Sequence, residues 1–235
     1  MKPLVIYHAS CADGFGAAFA AWLKLGDDAE YVPMQYGKET DQFFTLEDGT
    51  FDSDLNILNR EIFILDFSFP RWVMDGLFSV AKRVVWLDHH KSAFEMWCED
   101  GERSMCEQSN GRDEVILDNN KSGAYLAWEY FHPDTEVPML IKHIDDRDRW
   151  VFKIPGTKEF NAALRSYEPW SFEQWKEILG DPEADETFFL YTEGTAILRA
   201  HDQNVQAVAK GAARNCSIIP AVINLADSYK APWVW

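Results

Sequence analysis

The sequence is poor in basic residues for its length. It has 22 Lys and Arg against 39 Asp and Glu, a formal net charge of −17, and no basic run. Tight binding to long nucleic acid depends on basic side chains that neutralise phosphates and release counterions. The composition therefore disfavours tight, processive binding to long DNA or RNA. A small anionic substrate stays possible, because divalent cations in a cleft would reverse the sign of the local field.

Long apolar runs and paired cysteines are also missing. No apolar stretch approaches the ~18 residues that span a membrane, and the N-terminus lacks the pattern of a signal peptide. The four cysteines (positions 11, 98, 106 and 216) show no Cys-x-x-Cys spacing, which disfavours a zinc knuckle or a disulfide framework. We expect a folded cytoplasmic protein without a membrane partner, either a monomer or a homodimer.

The sequence does contain short apolar runs that alternate with helical patterns. Runs at 4–7, 62–65, 84–87 and 115–117 are typical of buried strands, and their alternation with helices predicts an α/β fold with a doubly wound, mostly parallel sheet. The polar segments 37–60 and 98–113 are expected to be a connection and a surface loop. A long helix from about 186 to 213 and a final strand at 217–225 complete the prediction.

Three of the predicted strands end in residues that can bind metal. The first runs into His8, the second into Asp66, and the third into Asp88-His89-His90. The carboxyl ends of parallel strands meet at one sheet edge, where open α/β folds bind ligands. Buried Asp is rare unless it is paired or coordinates a metal. The pattern predicts a shared metal-binding cleft.

These segments resemble the DHH superfamily of metal-dependent phosphoesterases. Its members include nano-RNases (oligoribonucleases), cyclic-dinucleotide phosphodiesterases, RecJ-type exonucleases and family II pyrophosphatases. The order and spacing of four motifs agree over roughly the first 165 residues. The motifs are His8-Ala-Ser-Cys11-Ala-Asp13-Gly14, Leu65-Asp66-Phe67-Ser68, Asp88-His89-His90 and Ile144-Asp145-Asp146-Arg147-Asp148-Arg149-Trp150.

The resemblance implies a centre of two divalent cations, usually Mn²⁺, with Mg²⁺, Zn²⁺ or Fe²⁺ as alternatives. Asp66 or Asp88 would bridge the cations, and His90 would face the substrate. At the fourth motif Asp146 and Asp148 compete, and the spacing from Ile144 favours Asp146. The implied metal ligands are His8, Asp13, Asp66, Asp88, His89 and Asp146, and the implied catalytic residues are Asp88, His89 and His90.

The chain departs from the family pattern in two places. Cys11 stands where the family usually has Asp, and it is either a metal ligand that favours zinc or iron or a small packing residue. The glycine- and histidine-rich substrate loop of the second domain is also missing. We therefore expect a phosphoesterase domain over 1–184, followed over 185–235 by a linker helix and the first strand of an incomplete second domain.

The expected activity is hydrolysis of phosphodiester bonds in short oligonucleotides or in linear or cyclic dinucleotides. Lys91 and Arg165 are candidate phosphate-binding residues, although a salt bridge to the acidic surface explains Arg165 equally well. Two alternatives stay open. One is hydrolysis of pyrophosphate or nucleotide phosphates, and the other is a catalytically inactive binding protein that kept the fold.

Overall fold

The structure, a computed structural model, describes residues 1–37, 43–48, 50–98, 105–180 and 188–215. The chain divides into two compact units, residues 1–197 and 198–235. Of the second unit, only the helical residues 198–215 are described. The strand predicted at 217–225, and with it the start of a second domain, lies outside the described residues.

Eight strands occur in the described part of the chain. The strands are β1 (Leu4–His8), β2 (Glu30–Met34), β3 (Phe44–Glu47), β4 (Thr50–Ser53), β5 (Glu61–Leu65), β6 (Arg83–Asp88), β7 (Met105–Ser109) and β8 (Glu114–Asp118). Six of them form one sheet in the order β2-β1-β5-β6-β8-β7, and β3 and β4 form a separate hairpin. The six-stranded sheet is parallel except for β7, which runs antiparallel to β8.

The described residues also form eight α-helices. They are α1 (Ala12–Leu25), α2 (Arg71–Val80), α3 (Lys91–Trp97), α4 (Gly123–Phe131), α5 (Met139–Asp148), α6 (Thr157–Ser166), α7 (Phe172–Leu179) and α8 (Phe188–Asn215). In the part of the chain that the structure describes, no helix is both long enough and apolar enough to cross a membrane.

Helices cover both faces of the sheet, as the strand sequences require. Alternate residues of a strand point to opposite faces, so Val5 and Val85 pack into a core with α1 and α4 to α7. Ile6 and Trp86 pack into the second core, with α2 and α3. Both strand faces are therefore apolar, which is typical of a parallel sheet buried on two sides. The predicted doubly wound, mostly parallel α/β fold is confirmed.

Two predicted loops contain strands instead. The connection at 37–60 holds the β3–β4 hairpin, in which Phe44 is buried against the core beside α2 and Phe51 packs on Gly76. The loop at 98–113 holds β7, where only Cys106 is buried. Each strand has few buried side chains, so little alternation of apolar and polar residues marks it in the sequence. Pairing with a neighbouring strand determines the structure.

The strand order reverses between β1 and β5. From β1 the chain crosses through α1 to β2 on one side, and from β5 it crosses through α2 to β6 on the other. Helices α1 and α2 lie on opposite faces of the sheet. In open α/β sheets the crevice outside the carboxyl ends of the strands at such a reversal is where ligands bind.

Candidate metal centre

The three strand ends that carry the first three motifs are neighbours in the sheet. His8 is the last residue of β1, Asp66 follows β5, and Asp88 is the last residue of β6, and these strands are adjacent in the order β1-β5-β6. Leu65 of β5 is in register with Leu87 of β6. The residues that follow these strands therefore leave the sheet side by side, at the point where the strand order reverses.

The backbone at Asp66 has an unusual conformation. Its φ is +53°, in the left-handed region that residues other than Gly rarely adopt. The Asp66 N–H donates to the carbonyl of Leu87, and a Cβ at Gly123 would lie 2.6 Å from Asp66 Oδ1. Strained conformations of this kind persist where the surroundings enforce them, often at functional sites. The first turn of α4 thus packs directly on the Asp66 carboxylate.

His89 lies among three carboxylates. Its Nε2 is 3.1 Å from Asp66 Oδ1, 3.4 Å from Asp13 Oδ2 and 3.5 Å from Asp148 Oδ2. Asp13, His89 and Asp148 each offer a ligand atom, and these atoms all lie within 4.8 Å of one another. This set, called the His89 group below, brings together residues from three of the four motifs.

A second set of ligand atoms lies at the end of β1. His8, Cys11 and Asp66 offer ligand atoms that are also within 4.8 Å of one another, with His8 Nδ1 3.6 Å from Asp66 Oδ2. This set is called the His8 group. Asp66 occurs again in a third such set, with His89 and His90. It therefore lies between the His8 group and His89.

One oxygen of Asp88 accepts hydrogen bonds from the turn that follows β6. Its Oδ1 accepts hydrogen bonds from the N–H groups of His89 and His90, and it lies 2.7 Å from His90 Nδ1. Asp88 belongs to none of the ligand sets found among the described residues. Its Oδ1 therefore orients the two histidines that follow it, and Asp66 is the carboxylate that two of the ligand sets share.

Asp13 is held rigidly by the start of α4. Its two carboxylate oxygens accept the N–H groups of Gly123 and Ala124 at 2.7 and 2.8 Å, and Asp145 accepts the N–H of Ser122. The first N–H groups of a helix have no partner within the helix, and its positive end favours carboxylates. These bonds fix one oxygen of Asp13 beside His89.

The structure places Asp148, and not Asp146, in the His89 group. The Asp146 carboxylate accepts hydrogen bonds from the N–H groups of Lys153 and Ile154 and from the Thr157 hydroxyl, at 2.6 to 3.0 Å. The segment after α5 folds back onto Asp146, so that both carboxylate oxygens accept hydrogen bonds from it. The preference for Asp146 is corrected on this ground, and Asp148 Oδ2 takes its place beside His89.

The protonation of the centre reflects its excess of carboxylates. Burial opposes a charge on His89, but Asp66, Asp13 and Asp148 outweigh it and raise its pKa to about 10. Burial likewise opposes a charge on Asp66, but the imidazoles of His8 and His89 lower its pKa to about 2. Burial and the charges of Asp13 and Asp66 raise the pKa of Cys11 to about 12. His89 and Cys11 thus keep protons, and metal ions bound at these atoms would displace them.

Unsatisfied buried atoms at this edge fit a cation site. Of the buried side-chain atoms without a hydrogen bond in the described part of the chain, three lie at this edge: His8 Nδ1, Asp66 Oδ1 and Asp88 Oδ2. Leaving such an atom unpaired costs about 1–3 kcal/mol. Three such atoms at one sheet edge would therefore destabilise the fold unless a ligand satisfies them. All are imidazole nitrogens or carboxylate oxygens, the donors that Mn²⁺ and Zn²⁺ accept. The His8 and His89 groups can therefore hold metal ions.

The two predicted phosphate-binding residues lie on the surface. The Lys91 side chain is 86% exposed at the start of α3 and forms an ion pair with Glu95. Arg165 in α6 is 60% exposed and lies 3.7 Å from Glu168. Among the described residues, no hydrogen bond, ion pair or ring contact joins either side chain to the His8 or His89 group. For Arg165 the geometry is that of the surface salt bridge.

Two residues near the centre were missed from the sequence. Tyr36, half exposed, packs edge-on against His8 and His90, with ring centroids 5.2 and 6.0 Å apart, and stacks on Phe67. No sequence pattern marked it. Asp118 ends β8 as Asp88 ends β6. The pattern of an apolar strand that ends in a metal-binding residue could therefore have identified it. Its Oδ1 accepts the N–H of Asn120, and it belongs to none of the ligand sets.

Comparisons with known proteins describe relatives without a stated activity. No family model matches the chain. Over 190 residues it is 33% identical to "Uncharacterized protein R106" of Acanthamoeba polyphaga mimivirus, covering 77% of this chain and 41% of that protein. The chain thus spans less than half the length of this relative. An uncharacterized protein from Helicobacter pylori G27, solved by crystallography, aligns with a TM-score of 0.48 and 12% identity over 85% of this chain and 62% of its own.

Proposed function

We propose that this protein is a metal-dependent phosphodiesterase of the DHH type, with a centre of two divalent cations. The observation that carries the proposal is the position of Asp66 between the His8 group and the His89 group. Two-metal hydrolases need one carboxylate shared by cations that lie about 3.5–4 Å apart. Mn²⁺ is the cation we expect from the resemblance and from the mixture of imidazole and carboxylate ligands.

The residues around the centre suit phosphoryl transfer. Two divalent cations supply Lewis-acid stabilisation of phosphoryl oxygens and lower the pKa of water. Burial opposes a charge on His90, but its contact with Asp88 raises the pKa of His90. Asp88 holds Nδ1 and leaves Nε2 as the second ring nitrogen. His90, one third exposed, is placed to donate a proton to a leaving oxygen, as general acids do.

Charge and size support short substrates. The chain has 22 basic and 39 acidic residues, so long phosphate backbones would be repelled outside the centre. Within it, cations would attract one or a few phosphates. The half-exposed ring of Tyr36 beside His8 and His90 offers a surface on which a base can stack. We propose dinucleotides, cyclic dinucleotides and very short oligonucleotides as substrates.

The test is an assay panel with Mn²⁺ that compares a linear dinucleotide, a 5-mer, a cyclic dinucleotide and pyrophosphate. We expect phosphodiester turnover by the wild type, and loss of at least about 10²-fold in Asp66→Asn, because that variant loses a carboxylate that belongs to the His8 group and also lies beside His89. Asp118→Asn is the matched control, since Asp118 is a buried carboxylate at the next strand end and lies outside the ligand sets. Turnover of pyrophosphate alone would replace the proposal with a pyrophosphatase, and no turnover at all would sink it.

A further inference from the structure

The two ends of the candidate centre differ in chemistry. The His89 group offers only carboxylate oxygens and an imidazole nitrogen, from Asp13, His89 and Asp148. The His8 group adds a sulfur atom, because Cys11 Sγ lies within 4.8 Å of ligand atoms of His8 and Asp66. Thiolate is a soft ligand, and carboxylate is a hard one. The two groups therefore present different preferences to metal ions.

The sequence alone left Cys11 either as a ligand or as a packing residue, and its surroundings favour a ligand. The other described cysteines, Cys98 and Cys106, lie in the apolar core beside α2 and α3. Cys11 belongs to neither apolar core cluster, is partly exposed and forms no disulfide. It directly precedes α1, at the position from which the turn after β1 delivers it beside His8. A packing role would place it among apolar side chains, and it is found among polar ones.

Independent observations indicate that the His8 group receives a ligand. The Asp66 side chain is 1% exposed, and its Oδ1, which has no hydrogen bond, lies 3.1 Å from His89 Nε2. His8 Nδ1 is also buried without a hydrogen bond and faces Asp66 Oδ2 across 3.6 Å. Buried polar atoms are nearly always satisfied. A cation between His8, Cys11 and Asp66 would satisfy His8 Nδ1 and would bind the buried Asp66 carboxylate on the side of Oδ2.

We infer that the centre is asymmetric, with a thiophilic cation such as Zn²⁺ or Fe²⁺ in the His8 group and a harder cation such as Mn²⁺ in the His89 group. The inference deepens the proposed function, since it assigns the metals of the same centre, and it rests on that centre binding metal. It also gives Cys11 a role that a carboxylate at the same position would not have. Exchange of Cys11 for Asp would make the two groups alike in ligand type and remove the preference for a soft cation.

Absorption spectroscopy with Co²⁺ as the probe tests the inference without an activity assay. A cobalt ion bound by thiolate gives a sulfur-to-metal charge-transfer band in the near ultraviolet, and a cobalt ion bound by oxygen and nitrogen does not. We expect the band when Co²⁺ is added to the full-length wild type, and its loss in Cys11→Ser and Cys11→Asp. Cys106→Ala is the control that keeps the band, because Cys106 lies on the edge strand β7.

Competition between Zn²⁺ and Mn²⁺ gives the second readout. Cys11→Asp is expected to shift the ratio of bound Zn²⁺ to Mn²⁺ by at least about tenfold towards Mn²⁺ relative to wild type. A wild type that binds Co²⁺ without the band, or a band unchanged in Cys11→Ser, would overturn the inference. If Mn²⁺-dependent turnover persists in that case, the proposed function stands and only the asymmetry fails. If calorimetry detects no metal binding, both fail.

Discussion

The imidazole of His89 lies 3.1 Å from the carboxylate of Asp66, although the two residues belong to different strand ends. The register of β5 with β6 brings them together, since Leu65 pairs with Leu87. Asp66 stays ionised beside this imidazole because His8 and His89 lower its pKa to about 2. The contact joins Asp66, a member of the His8 group, to His89 of the other group.

The exchange of Asp148 for Asn should weaken metal binding without unfolding the protein. Asp148 Oδ2 lies 3.5 Å from His89 Nε2, and its side chain is 29% exposed. Because it contributes a ligand atom and few packing contacts, we expect calorimetric affinity for Mn²⁺ to fall by about 10- to 100-fold. The midpoint of thermal unfolding without metal should change little.

Asp146→Asn is the matched control, two residues away on the same helix. It removes a charge that accepts the N–H groups of Lys153 and Ile154 and the Thr157 hydroxyl. We expect it to lower the free energy of unfolding by about 1–3 kcal/mol and to leave Mn²⁺ affinity within a few-fold of wild type. If Asp146→Asn weakens Mn²⁺ binding by about 10-fold or more and Asp148→Asn instead lowers the free energy of unfolding, Asp146 is the ligand.

Gly123→Ala should damage the centre through sterics alone. A Cβ at this position would lie 2.6 Å from Asp66 Oδ1, so either α4 or the Asp66 carboxylate must move. We expect a loss of about 1–3 kcal/mol in unfolding free energy together with weaker Mn²⁺ binding. In Gly211→Ala nothing lies within 4 Å of the new Cβ, and the change should be neutral or slightly stabilising, as for Gly to Ala in a helix. Equal effects of the two substitutions on metal affinity would refute the close approach.

Tyr36 should bind substrate through its ring. The ring stacks on Phe67 with centroids 4.4 Å apart, and it lies beside His8 and His90. Because stacking of one base contributes about 1–3 kcal/mol, Tyr36→Ala should raise KM for a dinucleotide about tenfold or more, with kcat nearly unchanged. Tyr36→Phe keeps the ring and should behave as wild type. A drop in kcat for Tyr36→Phe would point to the hydroxyl instead.

A buried polar network lies behind the centre and connects α5 to α6 and α8. His143 Nδ1 is 2.9 Å from the Thr157 hydroxyl, and that hydroxyl is 2.6 Å from Asp146 Oδ2. His143 Nε2 lies within hydrogen-bond distance of the Tyr191 hydroxyl. Thr157 can donate to Asp146 and accept from a neutral His143, and Tyr191 can donate to the other ring nitrogen. The network is satisfied when His143 is uncharged.

This network predicts how stability depends on pH. Burial lowers the pKa of His143 to about 4, whereas an unfolded His titrates near about 6.5. Between these pH values the unfolded chain binds a proton at His143 that the folded chain does not. The neutral His143 therefore contributes fully to the free energy of unfolding above pH of about 6.5, and this stabilisation is lost as pH falls to about 4. It amounts to at most about 3 kcal/mol. Unfolding measured by denaturant at several pH values should show a shallower dependence for His143→Gln than for wild type.

The exposed His201 on α8 supplies the control. His201→Gln should leave the dependence of unfolding free energy on pH unchanged. If His143→Gln and wild type lose the same free energy of unfolding between pH values of about 6.5 and 4, the buried His143 is not the source of the pH dependence.

The sequence predicted the sheet and its functional edge because the signals there are local. Each of β1, β5 and β6 is an apolar run that stops at a residue able to bind metal. The parallel arrangement then places His8, Asp66 and Asp88 at one edge. No knowledge of side-chain contacts was needed for this step, and the same rule extends to Asp118 at the end of β8.

The details that the sequence did not predict depend on contacts between distant segments. Asp146 and Asp148 are equivalent candidates on a helical pattern, and only the return of residues 153–157 onto Asp146 separates them. Tyr36 reaches the centre from the segment after β2, where no motif marks it. The hydrogen bonds from the N–H groups of His89 and His90 to Asp88 Oδ1 are visible only in three dimensions, and a ligand role for Asp88 stays a prediction.

The metal content of the chain tests most directly that a two-metal centre is organised around Asp66. The wild type, Asp66→Asn and Asp118→Asn would be dialysed against a mixture of Mn²⁺ and Zn²⁺, and bound metal measured by mass spectrometry. We predict two divalent cations per chain for the wild type and for Asp118→Asn, and at most one for Asp66→Asn. A wild type that binds fewer than two, or an Asp66→Asn variant that keeps both, would contradict the two-metal centre.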